Sequence, residues 1–151
     1  MNLQTILNDI IKNAFPELMD EDIAIEWKNL EDALMDQGGL TGHGYFIEVD
    51  ESLKKANEAI IVGGIAHELC HILADLKVGK WQILLDRVAY RIFKRYRTLD
   101  ERNTDLQAII RGYGSSVLLF MKYSENKGYN YYKEDGLSIR EIEAILNNGL
   151  K

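Results

Sequence analysis

The chain has 151 residues and a formal charge of −6, with 46% hydrophobic residues, 28% charged residues and one proline. That length supports one domain with a sizeable core rather than two, and the acidic balance argues against nucleic acid as the main partner. The sequence opens with no charged and apolar leader and holds no uninterrupted apolar run long enough for a transmembrane segment. Its one cysteine, Cys70, excludes an internal disulfide and fits a reducing compartment, so a cytoplasmic protein is expected.

In chain order, Leu3, Ile6, Leu7, Ile10, Ile11 and Ala14 recur at helical spacing until Pro16 ends the run, which predicts an amphipathic helix over 2–15. Residues 23–28 alternate as a half-buried strand. Residues 29–41 read as a loop, punctuated by Gly38-Gly39 and Thr41-Gly42, and residues 44–50 read as a second strand with Tyr45, Ile47 and Val49 on one face. The free edge of a strand beside a cleft can bind an extended peptide through main-chain hydrogen bonds. A helix is predicted from about Lys54 to Leu76, with Gly63 and Gly64 one turn before His67 as small residues that let another element approach.

Residues 81–96 form an amphipathic segment with Trp81, Leu84, Leu85, Val88, Ile92 and Phe93 on one side. Arg87, Arg91, Lys94, Arg95 and Arg97 lie on the other side and at its end. Such a basic helix suits a membrane surface or an acidic partner, or is simply a solvated face. A second long helix is expected from Leu99 to Lys122, burying Leu106, Ile110, Tyr113, Val117 and Phe120. Glu101, Asp105, Ala108 and Gly112 form a neighbouring stripe. A polar stretch follows, then a short helix starting at Ser138 with Glu141 completing a capping box. The expected architecture is α+β and helix-rich: a small antiparallel or mixed sheet on one motif-bearing helix and a second long helix. Residues 1–123 form the domain, and 124–151 form a tail that either completes it or covers its cleft.

The chemistry concentrates in His67-Glu68-Leu69-Cys70-His71, an H-E-x-x-H string inside an apolar helix. Residues four apart share a helical face, so His67 and His71 can present two imidazoles to one metal ion. Glu68 sits about 100° around the helix, where it can act as general base on a metal-bound water. Asp75, at i+4 from His71, cannot be the third ligand, because it would lie about 12 Å from His67 along the axis. Glu101 is the first candidate, and Asp105, four residues on, either supports a ligating histidine or is itself the ligand. The alternative is that both carboxylates are a solvated helix start. For oxyanion stabilisation the candidates are Tyr113, Arg111, His43, Tyr129, Tyr131 and Tyr132, none singled out by spacing. Cys70 is rotated off the ligand face and reads as packing.

H-E-x-x-H on one helix followed by E-x-x-x-D at Glu101 and Asp105 resembles the gluzincin zinc metallopeptidases, and more loosely the small stand-alone minimal gluzincins. The resemblance covers residues 43–123. It implies one Zn2+ held by His67, His71 and Glu101, Glu68 as general base and acid, Asp105 behind a histidine, and a peptide or protein substrate. It also implies possible latency through a C-terminal segment lying in the cleft. The thirty residues between His71 and Glu101 are a departure from the pattern, and no metzincin extension follows His71. The expected function is therefore a zinc endopeptidase. The alternative is a metal-binding regulatory or peptide-binding module without turnover.

Overall fold

The computed structural model describes residues 1–40, 42–78, 80–129 and 135–149. Helix α1, Leu3–Ala14, is capped by the Asn2 side chain on the Thr5 N–H and buries Leu3, Leu7, Ile10 and Ile11. Three strands follow: β1 (Ile23–Lys28), β2 (Met35–Leu40) and β3 (Gly44–Asp50), in the order β1-β3-β2. β1 runs parallel to β3 and β2 antiparallel, so the sheet is mixed and the molecule is α+β, as expected.

The loop expected over 29–41 is a strand over its second half. Met35-Asp36-Gln37-Gly38-Gly39-Leu40 has poor strand propensity, but β-propensity is a weak guide where a partner strand decides. Gly39 (φ +121) lies so close to β3 that a Cβ would come within 2.3 Å of the Gly44 carbonyl oxygen. The two glycines that resembled loop punctuation are what let this strand pair closely.

Helix α2, Glu58–Leu76, starts later than expected, because residues Glu51–Lys55 form a 3-10 turn and the Asn57 side chain caps the helix at Ala59. Most of α2 is buried, and among the described residues it is the one helix long and apolar enough to cross a bilayer. Its apolarity serves the core: Ile61, Ile65, Leu69, Ile72 and Leu73 pack there with residues of α1 and all three strands. The expected close approaches at Gly63 and Gly64 are present. A Cβ at Gly63 would meet the Ser116 backbone at 2.1 Å, and one at Gly64 would meet Met35 of β2.

The second half departs from the expected single helix over 99–122. Helix α3 is Lys80–Ile92, Phe93 is extended, and α4 runs Lys94–Ala108. The chain then kinks within Ile109–Tyr113, where Gly112 leaves helical geometry at φ +95, and resumes as α5, Gly114–Asn126. The kink shifts the register of the buried stripe. Ile109 therefore enters the core while Ile110, predicted buried, is 62% exposed, and Gly112 is exposed too. Helix α6, Ile139–Asn147, has the predicted capping box at Ser138 and Glu141. It inserts Ile142 into the core and is tied to α4 by Arg102–Glu141 and to α5 by Lys122–Glu143. The described part of the tail thus completes the core. A cleft-covering role would rest on residues 130–134, which lie outside the described residues.

Candidate metal centre

Helix α2 places His67 and His71 one turn apart, with Nε2 atoms 3.3 Å from each other. Helix α4 brings Glu101 to both: its Oε2 is 3.2 Å from His67 Nε2 and its Oε1 is 3.6 Å from His71 Nε2. Four ligands at about 2.0–2.1 Å around a tetrahedral ion stand about 3.3–3.4 Å apart. The two Nε2 atoms stand at that spacing, each has one oxygen of the Glu101 carboxylate beside it, and one donor atom from each residue lies within 4.8 Å of the others, so His67, His71 and Glu101 could hold a metal ion.

A carboxylate stands behind each ring. Asp105 Oδ1 lies 2.9 Å from His67 Nδ1, and an ionised carboxylate only accepts, so Nδ1 carries the proton and Nε2 keeps its lone pair. His71 Nδ1 faces Asp100 Oδ2 at 3.5 Å and Thr104 Oγ1 at 3.4 Å. Two imidazole Nε2 atoms and the Glu101 carboxylate thus face one another, and the carboxylate favours positive charge between them. The electrostatics agree. Burial opposes charge on His71, but Asp100 and Glu101 overcome it and push it up to about 10. Burial likewise opposes charge on His67, and Asp105 and Glu101 hold it well above the usual range. Burial also opposes ionisation of Glu101, and the two histidines outweigh it and lower that carboxyl. The cluster retains positive charge, as protons or as a cation.

The two candidates for third ligand therefore occupy different positions. Glu101 faces the Nε2 atoms, whereas Asp105 stands behind His67 and also accepts from the Leu137 N–H at 2.8 Å. Neither is a solvated helix start, because both are almost fully buried. Asp75 stands outside the group and pairs with Arg87 at 3.3 Å. Glu68 is also buried, and burial raises its carboxyl. Among the described residues no hydrogen bond ties that carboxylate up. Cys70 packs in the core, where burial pushes its thiol up to about 12.

The oxyanion candidates disperse. Arg111 forks the Glu17 carboxylate at the end of α1 and stacks on Phe15, which also meets Tyr113 at 6.3 Å between ring centroids. Tyr129 packs against the core, and His43 is exposed between β2 and β3. Tyr131 and Tyr132 lie outside the described residues.

Sequence reasoning missed four groups. Asp100 and Thr104 share the α4 face of Glu101 and Asp105, so their helical spacing could have revealed them. Tyr90 of α3, whose hydroxyl donates to Glu101 Oε1, had no such signal. Arg87 had none either; it donates to the Gly39 carbonyl on the edge strand at 2.7 Å. Through these two side chains α3 touches both the ligand group and the strand beside it. Compared with known protein families, with curated proteins and with solved structures, the chain matches none.

Proposed function

We propose that this chain is a zinc-dependent endopeptidase of the gluzincin type it resembles. The observation that carries the reading is the convergence of His67 Nε2, His71 Nε2 and the Glu101 carboxylate in one buried group, with Glu68 one residue after the first histidine. Two nitrogens and one carboxylate, with a fourth position left for water, form the donor set of several catalytic zinc sites. Zinc held there would supply Lewis acidity toward a peptide carbonyl and lower the pKa of a water to about 7. Glu68 would be the general base that takes a proton from the attacking water, and then the general acid that returns it to the nitrogen leaving from the cleaved carbon–nitrogen bond. Carboxylates behind the rings, Asp105 at His67 Nδ1 and Asp100 at His71 Nδ1, favour the proton on Nδ1 that leaves Nε2 available. The outer edge of β2 is the place for an extended substrate, which would replace the Arg87 hydrogen bond at Gly39.

One observation favours a second reading, a metal-binding or peptide-binding module without turnover. His67, Glu68 and Glu101 are no more than 5% exposed, and α3 contacts both the ligand group and β2. Metal analysis beside a peptide-cleavage assay separates the two, using the wild type and Glu68→Gln. The peptidase reading expects near-stoichiometric zinc in both proteins and cleavage in the wild type alone. Zinc in both with equal cleavage would remove Glu68 from the reaction, zinc in both with no cleavage would favour the module, and a protein that binds no zinc would end the peptidase reading and leave only a peptide-binding module.

A further inference from the structure

Helix α3 is oriented with its apolar side to solvent. Trp81, Leu84, Leu85, Val88 and Ile92 follow the i, i+3, i+4, i+7, i+11 pattern of one helical stripe. They are between 49% and 82% exposed, and Phe93 beyond them is 61% exposed. The inward side carries Ile83, fully buried, with Arg87 bound to Gly39 and Asp75 and Tyr90 bound to Glu101. Six large apolar side chains at that exposure present roughly 600 Å² of apolar surface on one side of the helix, the size at which a patch marks an interaction site.

Charge selects the partner. Residues 81–97 hold five basic residues against one acidic, a net of +4 in a chain of −6, so the remaining residues carry −10. Arg91 adjoins the stripe, three residues after Val88, and Arg95 follows Phe93. Both are exposed, and among the described residues neither forms an ion pair. An apolar stripe with tryptophan and phenylalanine at its ends and unpaired arginines at its margin fits the boundary between head groups and acyl chains. The helix has 13 residues, about 20 Å at 1.5 Å per residue. That is shorter than a bilayer core of about 30 Å, so it can lie on the surface but not cross it. A second copy fits less well, because it would bring the same basic margin and no acidic complement to the stripe.

We infer that the outer face of α3 docks onto an anionic lipid bilayer. The inference stands apart from the peptidase reading and is measured without substrate. The full-length protein is floated with phosphatidylcholine vesicles and with vesicles of phosphatidylcholine and phosphatidylserine, while Trp81 fluorescence is followed in a Trp27→Phe background. Binding to the anionic vesicles with a blue-shifted Trp81 is expected, falling as salt rises. Leu84→Glu/Leu85→Glu should abolish it, and Arg91→Ala/Arg95→Ala should weaken it by on the order of thirtyfold. These side chains are exposed, so circular dichroism should show both variants folded. Three results would each overturn the inference: no binding to anionic vesicles, equal binding to neutral ones, or binding that survives the glutamates. Sedimentation that shows the apolar face consumed in a dimer, with no vesicle binding, would also overturn it and assign the face to a second copy.

Discussion

Asp105→Asn tests the site most sharply, because it changes almost no volume and one hydrogen-bonding property. The native carboxylate accepts twice, from His67 Nδ1–H at 2.9 Å and from the Leu137 N–H at 2.8 Å, at 1% exposure. Asparagine offers one acceptor and one donor, and both partners are donors. If its oxygen stays with His67, the Leu137 N–H faces an amide NH2 and is left unsatisfied. If its oxygen stays with Leu137, His67 must accept at Nδ1, which moves its proton to Nε2 and removes a ligand lone pair. The first outcome costs about 1–3 kcal/mol of stability, and the second about 10–100-fold in metal affinity. Thermal unfolding of the metal-free protein and zinc competition against a chromophoric chelator read the two separately. Glu101→Ala should lose far more zinc affinity than Asp105→Asn. Asp105→Asn with stability and zinc affinity both unchanged would refute the two-acceptor role, and a greater loss of zinc at Asp105 than at Glu101 would make Asp105 the ligand.

The remaining predictions concern the frame around the site. Gly63→Ala should destabilise by about 3 kcal/mol or more in urea unfolding, the upper end for overpacking, because its Cβ would strike the Ser116 backbone. Gly64→Ala meets the flexible Met35 side chain and should cost less; equal costs would refute the distinction. Glu141 is held down to about 2 by Arg102 and by the Ser138 backbone and hydroxyl. A carboxyl lowered on folding adds stability above its unfolded value, near 4.5, and loses it as pH falls through the folded value. The gap between wild type and Glu141→Gln should therefore stay at or below about 1 kcal/mol, since the pair is partly exposed, and should close between about pH 5 and pH 2; a gap independent of pH would count against the pairing. A chain ending at Tyr123 loses Ile142 from the core, the Asp135–Arg97 ion pair and the Leu137 N–H on Asp105. It should fail to fold cooperatively by circular dichroism, and a folded truncation that binds zinc normally would show the tail to be dispensable.

By itself, the sequence determined the local features: α1 up to Pro16, the alternation of β1 and β3, the capping box at Ser138, and His67 and His71 on one helical face. These depend on neighbours within a few residues, where periodicity and side-chain chemistry suffice. Helical rise also excluded Asp75 and directed attention to the carboxylates of residues 101 and 105. Only tertiary structure assigned those two to opposite sides of His67, because α4 is docked on α2 by contacts more than thirty residues apart. It also decided that Met35–Leu40 is a strand, since pairing with β3 outweighs two glycines, and that the Leu99–Lys122 helix breaks at Gly112. The largest surprise is α3. Its apolar periodicity was plain in the sequence, but which side turns inward was set by Arg87 and Tyr90 reaching the strand edge and Glu101. A hydrophobic stripe specifies that a helix has two faces; the partners waiting in the fold decide which one meets water.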